Sequence, residues 1–370
     1  MNQRLLAIDV FRGMTIAFMI LVNNPGSWSH VYAPLLHAKW HGCTPTDLVF
    51  PFFIFTVGLS MAFSMGKNQE KSTQFLLSKA LKRALLIFGV GFMLHWFPFY
   101  DKTPFDVRVF GVLQRIGMAY GIGAALVIFL RKEWILAWTS AGLLLAYWGI
   151  QTYLGDYSLA GNVNLQADLA ILSADQLYQG FGIAFDPDGW LGAFSSAANI
   201  IFGYLIGKRL YKTVKIDGGF SSENQSGFLP GLLLVGLLLS LSGWFFHLLG
   251  CPINKPIWTS SYVIYTAGLG TLLLTFLLYL LDILRYRQWA FPFRVFGLNP
   301  LASFVLSGVV AKILYRTPVG DTSITGWIYR ELLQPILGDK PASLAQALLM
   351  VMLIYAVAWW MYKKRIIIKL

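Results

Sequence analysis

The sequence predicts an all-α integral membrane protein of about ten transmembrane helices with both termini cytoplasmic. Only 12% of the 370 residues are charged and 56% are hydrophobic, whereas an ordinary soluble domain is roughly a quarter charged. Apolar runs of about 20 residues, the length that crosses a bilayer, recur along the chain with short polar interruptions. Lysine and arginine concentrate in alternate connections, as expected of loops kept in the cytoplasm. No soluble domain is left over, so residues 1–370 read as a single polytopic domain.

The first span, near 8–23, follows Arg4 and closes on Asn23-Asn24-Pro25-Gly26. No small-residue cleavage site follows it, so it reads as a retained helix and not a signal peptide. The second and third, 48–65 and 75–96, belong with Lys67, Lys71, Lys79, Lys82 and Arg83. Arg131 and Lys132 separate the fourth, 111–130, from the fifth, 134–153. The sixth, 190–207, runs into Lys208, Arg209, Lys212 and Lys215 ahead of the seventh, 228–249. Arg285, Arg287 and Arg294 lie between the eighth, 261–283, and the ninth, 295–314. The tenth, 344–362, ends at Lys363, Lys364, Arg365 and Lys369. The opposite connections hold only Lys39, Lys102, Arg108, Lys255, Arg316, Arg330 and Lys340, and the longest, about 155–189, is acidic. Each span must be helical, because backbone groups in hydrocarbon find no water, and the apolar runs lack the alternation of a barrel strand. The net charge of +12 therefore reports topology and gives no argument for nucleic acid, which wants a basic face on a soluble module. No convincing internal repeat is visible, which weakens an inverted-repeat transporter.

One connection carries chemistry. His37-Ala38-Lys39-Trp40-His41-Gly42-Cys43-Thr44-Pro45-Thr46-Asp47 places two histidines, a tryptophan and a carboxylate where the second span begins. Ionisable groups at a bilayer boundary are costly unless paired or used. Cys43 and Cys251 both fall in outward connections, where a disulfide and two buried thiols are both open. His37 and His41 have no third ligand near them in sequence, so no metal is expected.

The motifs together resemble the heparan-alpha-glucosaminide N-acetyltransferase family. Arg4-Leu5, Ile8-Asp9, Arg12-Gly13 and Met19-Ile20-Leu21-Val22-Asn23 come first, then His37-Ala38-x-Trp40-x-Gly42-x-Thr44-x-x-Asp47-Leu48-Val49-Phe50-Pro51. Gly111 to Gly117, Phe185-Asp186-Pro187-Asp188-Gly189, Ile253 to Thr259 and Gly297 to Leu301 follow in the same order. The resemblance covers the whole membrane region. It lacks the luminal domain of lysosomal members, and so is similar to a compact bacterial member of the kind associated with amino-sugar use. It implies an inner-membrane acetyltransferase that takes acetyl from cytoplasmic acetyl-CoA and delivers it to glucosamine or a glucosamine-ended glycan on the periplasmic side. A homodimer is implied too. By the same resemblance His37 is the catalytic histidine and Asn23 a site residue, while Asp188 stands where the family usually has Glu.

The residues fit that chemistry on their own terms. An amine must lose its proton to attack a thioester, and histidine, with a reference pKa of about 6.5, suits that task near neutral pH. His37 as general base and His37 as transient acetyl carrier are both open; direct transfer is favoured because no second relay lies along the path. Asn23 and Asn24 can polarise a carbonyl or bond a sugar hydroxyl, and a polar helix end explains them equally. Asp47 either orients a histidine or serves as a helix N-terminal carboxylate beside Thr44 and Thr46. His41 reads as a supporting or interfacial group. Gln114 and Arg115 lie inside the fourth span, where a guanidinium needs protein, water or an anion; a CoA phosphate, a buried carboxylate and an interhelical ion pair are all open. Asn254, Lys255 and Trp258 head the eighth span, where an indole packs on a sugar face or joins an interfacial belt. Trp40 and Asn299, from the family-like motifs, complete the substrate-binding set. Lys82, Arg83, Lys208, Arg209 and Arg294 are candidates for the CoA phosphates, none assigned. The alternatives are a transporter with His37 and Arg115 in a midplane cavity, and an O-acyltransferase of envelope glycans.

Overall fold

The computed structural model describes residues 5–68, 70–101, 103–216 and 225–368. Arg4, Lys102 and Lys369 of the charge pattern lie outside the described residues, as does the side chain of Lys215. The apolar runs form helices wherever they were expected. The long ones are α1 (Leu6–Asn23), α2 (Val49–Lys67), α3 (Thr73–Trp96), α4 (Val112–Phe129) and α5 (Glu133–Leu154). After the short α6 (Val163–Leu169) come α7 (Gly192–Ile216), α8 (Gln225–Leu248) and α9 (Ser260–Leu277). The rest are α10 (Phe291–Leu298), α11 (Pro300–Arg316), the single turns α12 (Ile324–Trp327) and α13 (Gln334–Leu337), and α14 (Asp339–Lys363). Among the described residues the strands are one two-residue hairpin, β1 (Pro318–Val319) antiparallel to β2 (Thr322–Ser323).

All ten expected spans fall on helices, but not all qualify as membrane crossings. Six helices among the described residues are long and apolar enough: α1, α2 with its leading turn, α4, α8, α9 with its continuation to Ile283, and α14. The expected ninth span is two helices, α10 and α11, which meet at 78°, and counting that pair makes seven. Asn299 adopts φ −129° and ψ 54° ahead of Pro300, because a residue before proline is driven out of the helical region. The helices at the third, fifth and sixth positions, α3, α5 and α7, fall outside that set. α3 carries Lys79, Lys82 and Arg83, and α7 turns Ser195, Ser196 and Asn199 inward.

Helix α1 is the hub, touching α2, α9, α10, α11 and α14. It is 67% buried, whereas α8 is 17% buried and turns leucines such as Leu234, Leu238 and Leu241 outward, the face expected toward lipid. Small residues set the tightest crossings. A side chain at Gly13 would drive into the Phe293 carbonyl, and one at Gly297 into that of Asp9, so α1 and α10 touch backbone to backbone. Gly58 and Gly203 do the same for α2 and α7.

The two ends of the bundle gather the two sets of connections that the charge alternation separates. At one end Trp40 Nε1–H donates to the Tyr157 carbonyl (2.8 Å), Ser27 N–H to Ser343 Oγ (3.1 Å) and Asn254 Nδ2–H to the Trp40 carbonyl (3.0 Å). At the other, Lys212 meets Glu133 (2.6 Å) and Arg131 donates to Thr73 (3.0 Å).

Candidate functional site

His37 lies in the irregular segment between α1 and α2, and its position is set from both sides. Gly42 takes φ 115°, a region open to glycine, and its N–H reaches the Ile253 carbonyl at 2.7 Å. This ties the histidine segment to the connection between α8 and α9. Asn254, fully buried, completes the splice: Nδ2 lies 3.0 Å from the Trp40 carbonyl and 3.2 Å from His41 Nδ1, while Oδ1 accepts from Ile257 N–H.

Asp47 combines the two roles left open for it. It sits in a single 3-10 turn, Pro45–Leu48, opened by Thr44 as a capping box. Its Oδ2 accepts from the N–H groups of Ala38 and Thr44, both at 3.0 Å, and its Oδ1 meets His37 Nδ1 at 2.7 Å. A carboxylate can only accept, so Nδ1 carries the proton and Nε2 keeps a lone pair. The Tyr262 hydroxyl holds the Asp47 backbone carbonyl at 2.6 Å from within the bundle. The carboxylate is 1% exposed, whereas the His37 side chain is 50% exposed. This is a buried acid holding an accessible base.

Lys255 closes the group. Its ammonium is 3.5 Å from Asp47 Oδ1, 3.1 Å from His37 Nδ1 and 3.5 Å from Nε2. Burial pushes this lysine below its ordinary range, against the pull of Asp47 and Asp188. His41, at the rim, is also held low, by burial and by the charge of His247.

These side chains face a cavity of about 400 Å³. Met19, Val22, Val49 and Phe50 give it an apolar lining, to which Asn23 and Trp258 also contribute. Trp258 is 1% exposed, at φ 52°, wedged edge-to-face against Phe50 and Tyr262 with ring centroids 4.9 and 5.1 Å away. It is a wall of the cavity and not an interfacial anchor. Trp40 lies outside this lining, locked by Tyr157 and by the edges of Phe181 and Phe185.

Arg108 and Tyr178, which the motifs did not single out, line the cavity together with Asp188, which they did. Arg108 donates to both oxygens of Asp186 (2.8 and 2.7 Å), to Asp188 (3.2 Å), and lies 4.7 Å over the Tyr178 ring. Burial opposes its charge, but Asp186 and Asp188 outweigh that and hold it above the usual arginine range. Burial pushes the carboxyl of Asp188 up, against the pull of Arg108 and Arg115. Asp188 thus reaches the cavity already paired. The signal in the sequence was a lone arginine on an acidic side of the membrane.

Four more predicted residues, Arg115, Gln114, Asn299 and Asn24, do not line this cavity. Arg115 is fully buried near the start of α4, where its guanidinium donates to the carbonyls of Pro187 (3.0 Å) and Gly189 (2.9 Å) and faces Ser196 (3.3 Å). It pins the 186–189 connection onto the bundle and does not line the cavity. Gln114 donates to the Val109 carbonyl at 2.9 Å beside His95. Asn299 clasps the Ile366 carbonyl (2.9 Å) and the Ile368 N–H (2.8 Å) at the α10–α11 bend. Asn24 folds back on the Ile20 carbonyl at 2.7 Å. Cys43 and Cys251 are free thiols, and burial together with Asp47 pushes Cys43 up to about 12.

A sequence model of the family described as heparan-alpha-glucosaminide N-acetyltransferase, catalytic, matches residues 4–249. The chain is similar to the heparan-alpha-glucosaminide N-acetyltransferase of Homo sapiens, 28% identical over 355 residues, covering 82% of this chain and 52% of that protein. The Mus musculus protein of the same name is 28% identical over 357 residues, covering 82% and 53%. The chain spans about half the length of the curated relatives it matches.

Proposed function

The chain belongs to the heparan-alpha-glucosaminide N-acetyltransferase catalytic family, and from that premise we propose that it moves acetyl from acetyl-CoA to the amino group of glucosamine or a glucosamine-ended glycan, with His37 as general base. The observation that carries this reading is the Asp47–His37 pair, 2.7 Å apart, with the imidazole open to a 400 Å³ cavity.

Bound acetyl-CoA would supply an activated acetyl thioester, a small apolar group with one carbonyl. The cavity suits such a group: its α1 and α2 wall is apolar, and Lys255 is a donor beside the imidazole. His37 Nε2 takes the proton of the acceptor amine as nitrogen attacks the carbonyl carbon. Asp47 stabilises the imidazolium that results, having fixed the tautomer beforehand. Lys255 faces the negative charge that develops on the carbonyl oxygen, where a fixed donor accelerates most. His37 then returns the proton to the departing CoA sulfur. Asn23, in the cavity lining, is placed to bond acceptor hydroxyls.

The lysine and arginine pattern supports both termini being cytoplasmic, and the resemblance to compact bacterial members supports an inner-membrane setting. The His37 end of the bundle then faces the periplasm and the acceptor. The test is transfer of labelled acetyl from acetyl-CoA to glucosamine by purified protein, wild type against His37→Ala. The expected outcome is labelled N-acetylglucosamine from wild type alone. Stabilisation by sugar but not by acetyl-CoA, without turnover, would point instead to transport.

A further inference from the structure

Among the described residues one amine lines the His37 cavity, that of Lys255. It reaches the cavity from the connection between α8 and α9, with 21% of its side chain exposed. Its Nζ is 3.5 Å from His37 Nε2, the ring atom that keeps the lone pair, and 3.5 Å from Asp47 Oδ1. An acceptor amine that gives its proton to His37 has to lie within hydrogen-bond reach of Nε2, a distance that tightens once substrate is bound. Lys255 therefore holds a second amine, permanently, in the region where an acceptor nitrogen has to stand.

The other described lysines toward this end of the bundle are placed differently. Lys39 and Lys340 are exposed and do not line the cavity. Lys312 lines a second cavity of about 790 Å³, which shares Asn23 with the first. Its ammonium donates to the carbonyls of Leu94, His95 and Phe97 at the end of α3 (2.6, 3.0 and 3.1 Å). An amine is a nucleophile only when neutral. The titratable and charged groups around Lys255 are Asp47, Asp188, His37 and Cys43, with Arg108 also in the cavity lining. Burial pushes its ammonium below the ordinary range against the pull of the two carboxylates, which favours the neutral form. The rival nucleophile Cys43 lies outside the lining, and burial and Asp47 keep its thiol protonated.

We propose that Lys255 is itself an acetyl acceptor: when acetyl-CoA is bound and no amino sugar is present, its Nζ takes the acetyl group and becomes N-acetyl-lysine. The inference rests on the acetyltransferase reading. Neutral Nζ attacks the thioester carbonyl carbon and forms the C–N bond. His37 Nε2 takes the proton that the nitrogen sheds, the C–S bond breaks, and the sulfur leaves with that proton as CoA thiol. A nucleophile fixed beside both base and thioester needs no encounter from solution. The product is an amide with a poor leaving group, so the acetyl does not pass on to a sugar. Acetylation also removes the cation beside Asp47 and occupies cavity space, and transfer stops. The acceptor competes for the same thioester, so protein at work is spared and protein without acceptor is switched off.

The experiment incubates purified protein with acetyl-CoA labelled in its acetyl group, without acceptor. Portions are withdrawn for peptide mass spectrometry and for transfer to glucosamine. Lys255 should gain one acetyl group that survives hydroxylamine, faster than Lys39 by about tenfold or more. Transfer activity should fall in step with that label, and excess glucosamine should slow both. Raising the pH should speed labelling, because more of the amine is then neutral. Lys255→Arg, whatever rate it starts from, should keep that rate through the incubation. His37→Ala should label Lys255 at least about tenfold more slowly than wild type. Transfer to glucosamine by protein whose Lys255 stays unlabelled overturns the proposal. Label that hydroxylamine removes, the mark of an acetyl-imidazole on His37 or a thioester on Cys43, overturns it as well. Equal label on Lys255 and the exposed Lys39 would mean uncatalysed acetylation, with the same consequence. Labelled Lys255 with no transfer to glucosamine upholds the proposal and redirects the search for the acceptor. Neither label nor transfer sinks the acetyltransferase reading and this inference with it.

Discussion

Asp47 has no freedom to do one task without the other. The oxygen that caps its own turn and the oxygen that holds His37 belong to one carboxylate, so the same hydrogen-bond set builds the helix start and selects the imidazole tautomer. Asp47→Asn keeps the volume but offers one accepting oxygen where the carboxylate offers two, and it loses the charge that stabilises an imidazolium. We expect kcat to fall about 10²-fold or more with the protein still folded, measured by acetyl transfer alongside circular dichroism. Much of this site was readable from residue types, since His37, Asp47, Lys255 and Trp258 all lie in the motif stretches and meet at one cavity. Arg108 was not readable, because nothing local to it says that Asp186, 78 positions later, will fold back onto it.

At the scale of single elements, the crossing of α1 and α10 depends on glycine. Gly13→Val would force a branched side chain into the Phe293 carbonyl, and the hub helix would have to move. The expected result is loss of folded, detergent-stable protein by size exclusion, by several kcal/mol on the scale of overpacked buried sites, while Gly142→Ala on α5, where a Cβ meets nothing, should be silent. The connection from α6 to α7 carries a different sensitivity. Burial, and then the charge of Asp186, push Asp168 up to about 7 from an ordinary 3.8, and its Oδ2 has no hydrogen-bond partner among the described residues. Between those values the folded state binds a proton that the unfolded state has released, so stability falls as pH rises from about 4 to about 7. Asp168→Asn should flatten that slope and raise stability above wild type at pH 8 by at least about 1 kcal/mol, read by thermal melts across pH. The bend at Asn299-Pro300 had a local signal that hydropathy overrode: an apolar average does not register one proline, yet that proline removes the N–H a straight helix needs.

The whole molecule separates two populations of connections at its two ends, and the positive charge follows that separation. Single cysteines placed at Lys67 and at Lys39, in a chain with Cys43 and Cys251 replaced, should react with a membrane-impermeant thiol reagent from opposite sides. In intact cells Lys39→Cys should label and Lys67→Cys should not; the reverse pattern would invert the orientation, and labelling of both would remove the alternation. The helices themselves were legible, because a backbone in hydrocarbon has one economical way to satisfy its polar groups and an apolar run of sufficient length declares it. The number of true crossings was not legible, since α3 carries Lys79, Lys82 and Arg83 along its length, α7 turns Ser195, Ser196 and Asn199 inward and α10–α11 form a sharp bend.

The sequence by itself determined the fold class, the positions of the long helices, the alternation of charge and the stretch that carries His37, because each depends on residues adjacent along the chain. Only the tertiary structure decided that Lys255 stands beside an imidazole 218 positions away, that Arg115 binds loop carbonyls, and that Asn23 borders two cavities. Those relations arise from helix packing and from connections folding over one end of the bundle. Such contacts are set by shape complementarity between distant surfaces, a property that no local run of residues encodes.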